Sequence, residues 1–382
     1  MTKVKTKNKA PQAKVQAKAE SKMSANGQTP ALANGNGTNG GNGANGVKSP
    51  PAPGAIAKTQ IKALPSAKTS KTKLVTKPVG PSNPVIGAKG SPILGSVQSP
   101  LRIFQIYYEP WQRDLLDPQF AAIDNGEQNS EMAEFLILER LAKSDYVKGA
   151  KLWGALSWRF TERTGMTSAD WVKAIEANRG NDVYYCDPSP LNEALFHNLW
   201  LQGETVHPQF LGLCLAFFKA TGLPEEELTT ILPPDKFTSS NYFVGSPQFW
   251  ELYLPWISQL LATANKKLPP KVRDLLHAKM ADGPHKGLTY VPFILERLFP
   301  IFMKTAGKKL HYQKIALPAL DNQLNVHLRL LREVKNLAHS TKSPWMAAVW
   351  VNYRNLYLMQ TNGKDWCAKY LRNITPTDIK FA

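Results

Sequence analysis

The pattern of apolar and polar positions divides the chain near residue 100. Beyond that point RIFQIYY, from Arg102, is a short apolar run closed by Glu109-Pro110 and predicts a buried strand. EMAEFLILERLA, from Glu131, places Phe135, Leu138 and Leu141 at helical spacing. Thr167-Ser168-Ala169-Asp170 has the form of a capping box and predicts a helix through Trp171, Val172 and Ile175 to Asn178. Asn178-Arg179-Gly180 stops that helix, and DVYYCDPSP follows as a strand. Strand, helix and strand in alternation predict an α/β core, and from about Leu191 helical patterns dominate.

Two later stretches stand out. In SSNYFVGSPQFWELYLPWI, from Ser239, Ser246-Pro247 supplies an N-cap and first helical position. Phe249, Tyr253, Trp256, Ile257 and Leu260 then share one face, and Pro255 is expected to kink the helix. In YVPFILERLFPIFM, from Tyr290, nearly every position from Phe293 to Met303 is apolar, which predicts a buried helix. Glu296 and Arg297 interrupt it. Adjacent residues on a helix point about 100° apart, so each is expected to need its own partner, an arrangement that suggests a polar cavity. For Arg297 a structural ion-pair network is the expectation; Glu296 has the chemistry of a base or a hydroxyl contact.

Residues 1–98 carry no such pattern. They are Lys/Gly/Asn/Pro-rich with almost no aromatic side chains, so burial cannot offset their ordering entropy, and the segment is expected to be a disordered tail. The first 100 residues hold 15 lysines, no arginine and a single acid, Glu20, and so account for +14 of the formal +18. The 32 basic and 28 acidic residues that follow form a nearly balanced body, expected as one domain over 99–382 with a helical extension over 305–382. Charge confined to a tail without aromatic platforms argues against a specific nucleic-acid-binding domain. A basic tail can instead meet an anionic membrane surface through screened attraction.

Cys186, Cys214 and Cys367 are widely spaced and form neither a disulfide framework nor a zinc pattern. No apolar run suits a secretory signal, and FLGLCLAFF, from Phe210, is too short to span a bilayer. The expectation is a cytoplasmic protein, peripheral at the inner membrane face if the tail binds lipid. His197 and His207 flank a helical segment; either could donate to phosphate, though a lone histidine is more often an ordinary packed residue.

DVYYCDPSP carries two carboxylates. If Asp182 and Asp187 flank one extended strand they lie about 16 Å apart and cannot share a metal. Ligands of open α/β sheets sit outside the carboxyl ends of the strands, which favours Asp187; the plainer reading is that Asp187-Pro188 starts a turn.

In order along the chain, IFQIYYEP, LDPQFAAIDN, GALSWRFTERTGMTSADWVKAIEAN, DVYYCDPSP, NYFVGSPQFWELYLPWISQLL and FILERLFPIF resemble the capsular-polysaccharide glycosyltransferase-like family of bacterial polysaccharide biosynthesis. The resemblance covers most of 101–305. It implies a GT-A-type fold, a nucleotide-sugar-binding sheet with a helix-rich C-terminal half, and transfer of a sugar to a glycan acceptor in surface-polysaccharide assembly. By position it implies that Gln105, Tyr107, Asp124, Asn125 and Asp187 meet the donor, with Asp124-Asn125 in a loop, that Asn241 meets the acceptor and that Glu296 is catalytic. It also implies Mn2+ or Mg2+ at Asp187, but the family's Asp-x-Asp is replaced by Asp187-Pro188-Ser189, a single carboxylate. That loss favours the alternative, a non-catalytic binding or scaffolding module attached to an anionic surface by its tail.

Overall fold

The computed structural model describes residues 99–126, 131–281 and 285–382, with the backbone of Val85–Ile86. The expectation of disorder over 1–98 otherwise lies outside the described residues. Seven strands form one mixed sheet: β1 (Val85–Ile86), β2 (Leu101–Tyr107), β3 (Ala121–Asp124), β4 (Leu152–Ser157), β5 (Val183–Tyr185), β6 (Phe243–Gly245) and β7 (Tyr312–Lys314). Their order is β1-β3-β2-β4-β6-β5-β7. β2 runs parallel to β3 and β4, and β5 parallel to β7, whereas β6 is antiparallel to both of its neighbours. Val85–Ile86, within the segment expected to be disordered, pairs antiparallel with Asp124 and Ile123. A two-residue strand needs only backbone groups and leaves no hydrophobic pattern to read.

Both faces of the sheet are covered, and alternation along the strands assigns residues to the two sides. Phe104, Ile106, Trp153, Ala155, Tyr185 and Phe243 face one core, with helices Glu134–Ala142, Phe210–Thr221 and Pro247–Lys267. Ile103, Leu156, Tyr184 and Val244 face the other, with Phe160 and Trp171 from helices Phe160–Thr164 and Ser168–Ala177. A third cluster joins helices Val326–Thr341 and Pro344–Tyr370 to the segment around Leu195, Leu199 and Leu201. β6 lies so close to β4 that a Cβ on Gly154 would sit 2.5 Å from the Phe243 carbonyl oxygen, which only glycine accommodates.

The local chemistry expected from the sequence recurs in the helices. The Thr167 hydroxyl accepts from the Asp170 N–H, and the Asp170 carboxylate accepts from Thr167 in return. Ser246 accepts from the Phe249 N–H at 3.2 Å, capping a 21-residue helix that carries Pro255 within it. The expected single helix over 293–303 is instead two short ones, Val291–Leu295 and Phe299–Lys304. Pro300 accounts for the break, since it has no N–H to donate to the Glu296 carbonyl four residues back and its ring would clash there, whereas it is tolerated in the first turn of the second helix.

Candidate active site

Moving out from β2, the chain goes first to β3 on one side and then returns to β4 on the other, so β2 and β4 define a topological switch point. The crevice beyond their carboxyl ends is where open α/β sheets bind ligands. Because β6 is reversed, its amino end reaches the same rim and delivers Asn241 and Tyr242 there.

Two carboxylates meet at this rim. Glu134 opens helix Glu134–Ala142, and its Oε2 accepts from Asn241 Nδ2 at 3.3 Å. The residue before it, Ala133, has φ 46° and ψ −124°, an uncommon backbone for a residue with a Cβ. Burial raises the Glu134 carboxyl above its usual range, against the opposing Asn241 hydrogen bond and Arg163 charge. Glu296 follows the short helix Val291–Leu295, with its side chain 23% exposed. Burial lifts it from 4.5 to about 7; Arg297 opposes that rise, and the nearby charge of Glu134 adds to it. A carboxyl that titrates near neutrality is suited to exchanging a proton with substrate.

The surrounding groups are polar and aromatic. The Arg163 guanidinium, on helix Phe160–Thr164, acts on both carboxyls and on the Tyr242 hydroxyl. Tyr242 is also held by Ser157 Oγ at 3.0 Å, and burial pushes its phenol up to about 12. The Tyr108 phenol is raised by burial and then by Glu134. His207, with its ring tilted 4.1 Å from Phe293 and 5.0 Å from His285, is buried, driven down to about 2 by that burial and then by Arg297, and its Nδ1 has no hydrogen-bond partner among the described residues. It is a neutral imidazole at the edge of the rim.

Contrary to the expectation of separate partners, Glu296 and Arg297 do pair, with Nη1 to Oε1 at 2.5 Å. The helix ends at Leu295, before both residues, and the next begins at Phe299, so the 100° constraint of a continuous helix does not apply. Arg297 is nonetheless a scaffold residue. Its guanidinium donates to the carbonyls of Leu199 and Phe293 and to Gln202 Oε1, and it covers the Phe210 ring.

The residues expected at the donor are distributed unevenly. Gln105 is fully buried; its amide donates to the Ser157 and Trp158 carbonyls and accepts from the Asp117 N–H. Tyr107 donates to Asp124 Oδ2 at 3.0 Å. Asp124 is the last residue of β3 rather than part of a loop, exposed, with Oδ1 capping the Gly126 N–H; buried Asn125 follows it, its N–H on the Tyr107 carbonyl.

Asp187 does reach the carboxyl end of β5 while Asp182 sits at the other end, as expected. Yet Asp187 faces a separate polar cavity of about 380 Å³ that also contains Glu193, Asp235, Lys314 and Arg332. Its Oδ1 accepts from the Ser239 N–H and hydroxyl, and burial raises it to about 6. Its Oδ2 is buried without a hydrogen-bond partner among the described residues. The donor set does not fit Mn2+ or Mg2+: the ammonium of Lys314 pairs with the neighbouring Glu193, and although several carboxylates line this cavity, among the described residues no three His, Cys, Asp or Glu side chains come close enough together to hold a metal ion.

The sequence singled out Glu296 and Asn241, which lie at this rim, but not Glu134 and Arg163, which lie beside them. Glu134 resembles any polar position of an amphipathic helix, and Arg163 any exposed one in WRFTERTG. His197 is a core residue, bonded to Arg354 and edge-on to Trp350. No family model, no curated protein and no solved structure matches this chain.

Proposed function

We propose that the chain is a glycosyltransferase that moves a sugar from a nucleotide-sugar donor to a hydroxyl of a glycan acceptor in surface-polysaccharide assembly, on a sheet of GT-A type. The observation that carries this reading is the meeting of Glu296, Glu134 and Asn241 at the carboxyl ends of the strands beside the switch point. In this reading Glu296, titrating at about 7, takes the proton of the acceptor hydroxyl as that oxygen bonds the anomeric carbon. The bond to the diphosphate breaks in the same step and its electron pair leaves with the phosphate. Arg163 supplies positive charge towards that leaving group, and Glu134 with Asn241 orients sugar hydroxyls. Asp124 and Asn125, at the end of β3, form the donor side.

The test is a melting screen of the full chain against nucleotide sugars, followed by nucleoside-diphosphate release with glycan acceptors. One donor should raise Tm, because specific binding stabilises the native state by mass action. The reading fails if no donor shifts Tm and no diphosphate is released.

A further inference from the structure

The last two long helices carry apolar residues on two opposite sides. Towards the body, Leu328, Leu331 and Ala338 of Val326–Thr341 and Ala347, Trp350 and Leu358 of Pro344–Tyr370 are buried. Away from it, Val326, Leu330 and Leu337 recur at steps of four and seven, and Trp345, Val349 and Leu356 repeat the same steps, with Met359 beside them. Steps of four and seven stay within about 40° of one line on a helix, so each set is one stripe. Of the twelve large hydrophobic residues exposed among the described residues, these are seven; Val326 is 73% and Trp345 80% exposed. The helices are paired as a hairpin, with Asn325 bonded to Tyr357 and His327 to Tyr353, so the two stripes run side by side. Contiguous exposed apolar surface marks an interaction site.

Charge decides which partner fits. Exposed cations sit at both ends of the stripes: Lys342 beside Trp345 at the turn and Arg329 at the other end, with Lys364, Lys369 and Arg372 beyond a break of the second helix at Gly363 (φ 82°, ψ 174°). Over 326–373 the exposed acids are Glu333 and Asp365 alone. A second copy of this face would bring like charges together, and the chain's own first 100 residues, with 15 lysines against one acid, carry the same sign. Among the described residues no helix is long and apolar enough to cross a membrane, so the fit is to a surface.

We propose that this C-terminal hairpin docks flat on an anionic lipid bilayer, sinking Trp345, Val349, Leu356 and the facing stripe into the headgroup boundary while the flanking cations meet lipid phosphates. A basic rim around exposed Trp and Leu is the chemistry of interfacial binding. The proposal does not depend on the catalytic reading.

The test is sedimentation of the full chain with phosphatidylcholine vesicles and with equimolar phosphatidylcholine–phosphatidylglycerol vesicles. Measurement at about 0.5 M salt shortens the screening length to a few ångströms and suppresses the contribution of the lysine-rich segment. At about 0.1 M salt, where the flanking cations are not screened, the wild type should bind the anionic vesicles at least about tenfold better than the neutral ones. The triple variant Trp345→Ser, Val349→Ser and Leu356→Ser should keep the wild-type melting temperature, since all three side chains are exposed, and partition at least about tenfold more weakly. Equal binding of variant and wild type would overturn the proposal in favour of the N-terminal lysines alone. A wild-type dimer that the variant turns into a monomer, with no difference on vesicles, would overturn it in favour of a second copy.

Discussion

Arg354 and the pair of Glu134 and Glu296 are charged groups set among apolar residues, and they are treated in opposite ways. Arg354, fully buried in the C-terminal half, donates to the Leu195 and Ile374 carbonyls, to Asn355 Oδ1 and to Thr375 Oγ1. Nearby Lys335 donates to the Glu193 and Phe196 carbonyls and faces the rings of Phe237 and Trp350. At the rim, by contrast, Glu134 has one long hydrogen bond from Asn241, and Glu296 retains 23% exposure with Arg297 as its ion-pair partner. Saturated charges hold helices together. Carboxylates left half-solvated and in each other's field are expensive for stability and useful for chemistry.

The largest effects should come from the saturated group. Arg354→Ala or Arg297→Ala strands several polar partners in the interior and should destabilise by about 3 to 5 kcal/mol in denaturant melts. Rim substitutions should do the reverse. Glu134→Gln and Glu296→Gln should destabilise by no more than about 1 to 2 kcal/mol while lowering the proposed sugar transfer at least about a hundredfold. If Glu296→Gln unfolds the protein as badly as Arg297→Ala, the two classes of charge are one and the contrast collapses.

Titration sharpens the comparison. The folded state holds the Glu296 proton more tightly than the unfolded chain, so its stabilising contribution is complete below about 4.5 and is lost as pH rises through about 7. A tenfold difference in proton affinity between the two states corresponds to about 1.4 kcal/mol. Melts between pH 4.5 and 8 should therefore show a fall in stability that flattens in Glu296→Gln, while the proposed transfer by the wild type should rise across pH 7 as Glu296 ionises. A smaller effect separates Asp187 from the site: Asp187→Asn should leave nucleotide-sugar stabilisation unchanged, with or without Mn2+, because its carboxylate is turned to another cavity. The smallest change is Ala133→Gly, which relieves a backbone at φ 46° and should stabilise by about 1 kcal/mol, read as a small rise in Tm.

Local signals were well preserved in the sequence. The capping box at Thr167, the Ser246-Pro247 helix start and the buried run from Arg102 each depend on residues within a few positions of one another. β6 and β7 were not legible: each has three residues, too few for a period of two to show, and unlike the equally short but wholly apolar and aromatic β5, β6 ends in glycine and β7 is mostly polar. The site was half legible. Glu296 is conspicuous as a charge in an apolar run, whereas Glu134 becomes special only when Asn241, 107 positions later, folds over it. The pairing of Glu296 with Arg297 followed from a helix break that periodicity alone does not reveal.

β6 has a consequence for the order of assembly. It lies between β4 and β5, which do not pair with each other, so until residue 245 has been synthesised the sheet exists as separate pieces with open edges. Closing it joins Trp153 to Gly245 and Tyr185 to Phe243 across 92 and 58 positions, the long-range pairing that makes folding slow. The same closure brings Asn241 and Tyr242 to the rim. A growing chain therefore cannot bring Asn241 to Glu134 before β6 is in place, and release of early fragments yields sticky half-sheets with unpaired edges.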